Sequence, residues 1–238
     1  MRVYSQAERP ELLQRRDEIG AVWDEFMHHD AVADVCWNRQ YEEFPDLQLW
    51  LVGDDDQLLA ESNAVAIPFG PDELPDDGWD AALGQAFEGR SAKAVSAIAI
   101  TIGVEHRRKG FSKTMLDAMR KAVAARGLSD LVAPVRPSLK HRYPLAPIER
   151  YVQWRREDGS LFDPWLRVHE SAGAKLIRVA PQSMRISGSI AQWEDWTKMA
   201  FPESGTYVVP GALVPVEFDR ERDEGVYVEP NVWMHHRV

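Results

Sequence analysis

The sequence predicts a mixed α/β fold, a sheet flanked by helices, and three observations predict it. The first is an apolar, β-branched run, Ala94–Ile102, that reads as a strand buried on both faces. A basic turn bearing Gly110 follows it, and then a helix whose apolar positions Phe111, Met115, Met119 and Val123 recur every four residues. The second is a pair of strand-like runs, Leu47–Val52 and Leu58–Ile67, on either side of the turn Gly53-Asp54-Asp55-Asp56. The third is Asp163-Pro164, a helix start with Asp as cap and Pro at the first helical position, followed by Gly173 and a further apolar run.

In chain order, residues 9–28 read as an amphipathic helix with Leu12, Ile19, Trp23 and Phe26 on one face, and Ala31–Arg39 as a second, short one. After the hairpin, Pro68, Pro71, Pro75 and Gly78 interrupt the pattern, and Trp79–Phe87 suggests a short helix in an insertion. Leu131–Ala133 is the next strand. Residues 136–162 carry seven basic side chains with Tyr143, Tyr151 and Trp154, and read either as a lid or as an elaboration packed by its aromatics. Lys175–Val179 and Met184–Ser187 read as strands, and Ile190–Met199 as a helix. Tyr207–Val216 and Val226–Trp233 read as strands of a C-terminal extension, residues 189–238. One domain over residues 1–238, with its core at about 45–190, is expected.

With 238 residues, 45% hydrophobic and nine Trp, a sizeable packed core is expected. The single cysteine, Cys36, excludes an intrachain disulfide and reads as a small buried hydrophobe. No run approaches the roughly 18–20 apolar residues of a membrane span, and the N-terminus opens no apolar signal region; a cytoplasmic protein is expected, with no membrane partner. The formal charge of −10 is unevenly spread: residues 107–156 hold 13 Lys and Arg against three acids. The acidic remainder disfavours indiscriminate nucleic-acid binding, DNA included, while the basic segment suggests one polyanionic ligand held locally. The acids at 54–56 read as a solvated turn, and the pairs His28-His29 and His235-His236 point apart on either kind of element. No metal is expected.

Strand, glycine-bearing basic turn and helix together suit phosphate. The first N–H groups of a helix have no intrahelical partner, and its dipole adds positive charge there. The same turn also reads as a basic helix start exposed to water. The longer string Ile102-Gly103-Val104-Glu105-His106-Arg107-Arg108-Lys109-Gly110-Phe111-Ser112 resembles the coenzyme A loop of the GNAT acyltransferase superfamily, roughly Val-x-Pro-x-x-(Arg/Gln)-x-x-Gly-x-(Gly/Ala). Arg107 and Gly110 match; Val104 stands for the proline and Ser112 for the last small residue. Downstream, Val168-His169-Glu170-Ser171-Ala172-Gly173-Ala174 resembles the family's Leu-Tyr-Glu-x-Leu-Gly-Phe segment, and Val135-Arg136 the end of its fifth strand.

The resemblance covers about residues 45–190 and implies a mixed sheet of about seven strands. It implies an N-acyltransferase that moves an acetyl or other acyl group from acyl-CoA to an amine of a small molecule or peptide. The pantetheine arm would run along Ile100, Thr101 and Ile102, and the pyrophosphate would lie on the turn Arg108, Lys109, Gly110, Phe111, Ser112 and Lys113, with Arg107 before it also binding the coenzyme. His169 stands where the family carries its acidic Tyr, and the dipole at a helix C-terminus is expected to keep it protonated. No acid falls on Ala94–Ile102 to serve as base; Glu149, Asp163 or a water chain remain open. Two other readings stand: the donor is an aminoacyl-tRNA, suited to the basic segment, or the chain is a catalytically inactive coenzyme A-binding module. The acceptor and the oligomeric state are open, a homodimer included.

Overall fold

The computed structural model describes residues 1–20 and 23–238. Its frame is one mixed sheet. The strands are β1 (Arg2–Ser5), β2 (Leu49–Val52), β3 (Leu58–Ile67), β4 (Ala94–Ile102), β5 (Asp130–Val135), β6 (Lys175–Gly188), β7 (Gly205–Tyr207), β8 (Val216–Asp219) and β9 (Glu224–Arg237). The helices are α1 (Ala31–Cys36), α2 (Arg39–Glu43), α3 (Gly78–Gln85), α4 (Phe111–Ala125), α5 (Ile148–Tyr151), α6 (Pro164–Ser171) and α7 (Ile190–Thr197). The first five strands lie side by side in chain order; β4 and β5 are parallel and the other pairs antiparallel.

The order then jumps. β9 lies against β5 through Val232–Arg237 on one edge and against β6 on the other, with β8 and then β7 beyond its N-terminal end. The segment expected as a C-terminal extension therefore supplies a central strand. Pro230 lies within β9, between the β5-paired stretch and the β8-paired one, where no partner on that edge needs its missing N–H. The sheet has nine strands rather than about seven. The runs at 175–179 and 184–187 are one strand, β6, with register shifts at Leu176–Arg178 and Ala180–Met184.

The N-terminal stretch also departs from its expected form. Residues 10–18 are 3₁₀ turns and Glu25–His28 another, in place of one amphipathic helix; Ala21 and Val22 lie outside the described residues. Leu12, Ile19 and Phe26 are buried as the pattern required, while Trp23 is 41% exposed.

Two apolar layers cover the sheet. On one face α4 buries Phe111, Met115, Met119 and Val123 against Val95, Ala97, Leu131 and Ala133. On the other, α1, α3 and α7 pack around Val65, Ile67, Ile98, Trp193 and Trp233. Each large side chain buried in these layers is worth about 1.5–3 kcal/mol, and together they supply the main driving force. Among the described residues no helix is long and apolar enough to cross a membrane.

The basic segment 136–162 packs down. Tyr143, Tyr151, Trp154 and Phe162 form one aromatic cluster with ring centroids 5.0–6.1 Å apart. Asp163 ties it to α6: its carboxylate accepts from the backbone N–H of Leu139, Trp165 and Leu166 and from the Tyr151 hydroxyl.

Candidate functional site: an open strand edge and a basic turn

β4 and β5 share only two residue pairs, Val95–Leu131 and Ser96–Val132. Beyond them the facing edges have no ladder partner among the described residues, because β5 turns its other edge to β9. The divergence begins where the β3–β4 register slips. Ala97 pairs with Ala64 and Ala99 with Asn63, so Ile98 is passed over; its carbonyl accepts from Trp79 Nε1 at 3.0 Å. Up to Ile98 the strand is buried, and after it Ala99, Ile100 and Ile102 are half-buried. Such an edge presents N–H and C=O groups that need partners, and an extended chain of amides would supply them.

The strand runs into a 3₁₀ turn, Val104–His106, and then two left-handed residues, Arg108 (φ 65°) and Gly110 (φ 83°). Gly110 is the N-cap of α4 and offers no side chain to the helix's first N–H groups. The N–H groups of Lys113 and Thr114 bond back to its carbonyl, which leaves those of Phe111 and Ser112 for a ligand. Nothing would meet a Cβ at Gly110, so its φ, not crowding, demands glycine. Arg107, Arg108 and Lys109 are exposed and make no ion pair among the described residues, whereas Lys113 is held by Asp117 at 2.7 Å. Unspent cations, free N–H groups and a helix dipole at one point fit a pyrophosphate. The turn and the end of β4 thus bring together all ten residues expected to hold the coenzyme.

His169 lies elsewhere in character. It is on α6 as expected, with Asp163 as cap, yet it is 2% exposed. Its Nδ1 lies 3.0 Å from His236 Nε2 on β9, and Trp165 packs edge-on against its ring. Burial, reinforced by His236, pushes its pKa down to about 3. The expectation that the helix end keeps it protonated is therefore corrected: a dipole worth at most about 1 kcal/mol loses to desolvation. His236 is lowered to about 4 by burial and by Arg120. Glu170, next to His169 in sequence, pairs with Arg155. Of the bases left open, Asp163 is spent as a cap, and Glu149 is exposed in the first turn of α5.

The face of β3 and β4 opposite α4 carries groups that the sequence reading passed over. Trp50, Glu61 and Thr101 form one row across β2, β3 and β4, and Asn63 and Ala99 the next. Glu61, 3% exposed, accepts from Arg16 Nε at 2.9 Å and Nη2 at 3.0 Å. Asn63 donates to the Tyr41 hydroxyl and to Gln48. The signal was present in the sequence: three polar residues in a row, Glu61-Ser62-Asn63, inside a buried strand.

No family model matches the chain. It is 32% identical to arginine N-acetyltransferase avaD of Aspergillus versicolor across an alignment of 251 positions, gaps included, that covers 92% of this chain and 87% of that protein. Among solved structures, the loading GNATL domain of CurA from Lyngbya majuscula superposes with a TM-score of 0.61 at 19% identity, over 99% of this chain and 96% of that one. The GphF GNAT-like decarboxylase in complex with isobutyryl-CoA gives 0.60 at 17% identity, over 100% and 99%. The chain belongs to the GNAT superfamily of acyl-CoA-dependent N-acyltransferases.

Proposed function

We propose that this N-acyltransferase acetylates arginine or a closely similar amine, with acyl-CoA bound along the open edge of β4. The pantetheine amides pair with the backbone of Ile100, Thr101 and Ile102, and the pyrophosphate sits on Arg107–Lys113. The observation that carries the reading is the two-pair contact between β4 and β5, which ends where the half-buried strand meets the basic turn. The arginine relative supplies the acceptor. The amine nitrogen, neutral on arrival, attacks the thioester carbonyl; the C–S bond breaks, and the proton lost by nitrogen leaves with the thiolate or through water. Backbone N–H groups at the slipped register, near Ile98 and Ala99, are placed to hold the developing oxyanion. A cytoplasmic setting goes with this reading.

Aminoacyl-tRNA as donor is less well supported. Of the cations in residues 107–156, Lys113, Arg120, Arg126, Arg136, Arg155 and Arg156 face carboxylates, and Lys140 is buried on backbone carbonyls. Beyond the turn itself, Lys121, Arg142 and Arg150 are what remains for a second polyanion. The test is thiol release from acetyl-CoA with arginine, ornithine, lysine and a panel of amines. Release with arginine and acetylarginine in the product supports the reading; release only with unrelated amines would replace the acceptor, and none with any amine would remove it.

A further inference from the structure

Arg16 occupies a site shaped for a guanidinium. Its Nε and Nη2 make a fork to the Glu61 carboxylate, and its Cζ lies 5.9 Å from the Trp37 ring and 5.4 Å from the Tyr41 ring. Tyr41 is fixed from behind by stacking on Trp50 and by the Asn63 amide. A planar fork with two aromatic walls selects guanidinium over ammonium, which is a compact point charge. Glu61 is 4% exposed at its side chain, while Arg16 is 33% exposed, so the cation comes from the solvent side.

Beside this pair lie polar atoms with nothing to bind. Gln40, 0% exposed and next to Tyr41 on α2, has no partner among the described residues for either amide atom. Asn63 Oδ1 is also buried without one. Asn63 shares the face of β3 that carries Glu61, and a buried polar atom without a partner is costly, so its unmatched oxygen near that carboxylate marks a place where something polar belongs.

The spacing fits one class of molecule. Glu61 and Asn63 are two residues apart on β3, about 7 Å along one face. The five bonds from the Cα to the guanidinium carbon of arginine span about 6 Å when extended. Asn63 pairs with Ala99 at the slipped register, where the acyl carbonyl is proposed to lie. A guanidinium at Glu61 would therefore bring an α-amine toward the acyl group, with the Asn63 amide beside its polar end.

We infer that Glu61, Trp37 and Tyr41 are the seat of the acceptor's guanidinium, and that Arg16 fills this seat as an internal stand-in until the acceptor displaces it. This rests on the arginine reading above, but its test does not need turnover. Agmatine, which keeps the guanidinium, and putrescine, which lacks it, are titrated calorimetrically into wild type, Arg16→Ala and the double variant Arg16→Ala/Glu61→Gln. Arg16→Ala is expected to bind agmatine at least tenfold more tightly than wild type, with no gain for putrescine, and the double variant is expected to lose the gain. Because Arg16→Ala leaves a buried carboxylate alone, its melting is followed too: agmatine is expected to raise its Tm by several degrees and putrescine not to. Equal agmatine binding in wild type and Arg16→Ala, or a gain that survives Glu61→Gln, would overturn the seat. Absence of arginine acetylation alongside tight agmatine binding would instead remove the acceptor reading and leave the seat standing.

Discussion

The turn after β4 and the segment 136–162 are both rich in Lys and Arg, and they use them oppositely. In the turn Arg107, Arg108 and Lys109 stand in solvent with no carboxylate among the described residues. In the segment, Arg136 is 2.8 Å from the buried Glu229 and also donates to the Gly211 carbonyl. Lys140, 0% exposed, donates to the carbonyls of Tyr143 and Leu213, and burial pulls its pKa down to about 8. The first group costs little to keep unpaired and is available to a ligand; Arg136 and Lys140 are part of the frame. A count of positive residues does not separate them, whereas their pairing does.

The comparison orders the effects of mutation. Arg136→Met leaves Glu229 buried without a cation, held by the Tyr227 hydroxyl and the Asn231 amide, and should destabilise by about 3–5 kcal/mol in denaturant melts. A cost below about 1 kcal/mol would place Arg136 with the available cations. His169→Ala opens a hole between Trp165 and His236 and should cost about 2–4 kcal/mol, with turnover per folded molecule unchanged. A loss of kcat at wild-type stability would restore the acid role. The histidine pair also sets a pH dependence. Both imidazoles resist protonation in the folded state, so the stability they contribute is complete above about pH 6.5. It is lost as pH falls toward their folded values of about 4 and 3.

A second buried pair slopes the other way. Asp80 lies beside the fully buried Asp30, and burial together with that neighbour pushes its pKa up to about 8. Its folded state holds a proton that the unfolded chain releases near pH 4, so stability is lost as pH rises from there through about 8. Asp80→Asn should flatten this arm and stabilise by about 1–2 kcal/mol at pH 8, read from melts at pH 5 and 8. An unchanged slope would assign the alkaline arm to another group. Smallest of all, the double variant Arg107→Ala/Arg108→Ala should shift stability by under about 0.5 kcal/mol. Its affinity for acetyl-CoA should fall about tenfold or more, and more steeply at low salt than at high.

What was legible beforehand follows local physics. The span of β4, the start of α4 at Phe111 and the Asp163 cap were readable because periodicity, a left-handed glycine and an Asp-Pro start are encoded within a few residues. The insertion of β9 between β5 and β6 was not, since pairing across about 100 residues leaves no trace in the local pattern. The N-terminal helix failed for a related reason: its apolar spacing was right, but packing under β2 and β3 holds the chain in 3₁₀ turns. The basic turn and its glycine were visible as a string, while the charge state expected of His169 depends on burial, which a helix position does not give. Arg16 and Glu61 were missed because 45 residues separate them.

The central claim is that the turn at Arg107–Lys113 with the open edge of β4 binds the coenzyme, and calorimetric titration of acetyl-CoA into wild type and Gly110→Glu tests it most directly. The substitution puts a carboxylate where the pyrophosphate would lie, on a residue held at φ 83° and clear of neighbouring atoms. The wild type is expected to bind one acetyl-CoA per chain. Gly110→Glu is expected to bind at least a hundredfold more weakly while losing no more than about 2 kcal/mol of stability to the strained backbone. Equal binding by the two proteins, or none by the folded wild type, would contradict the account.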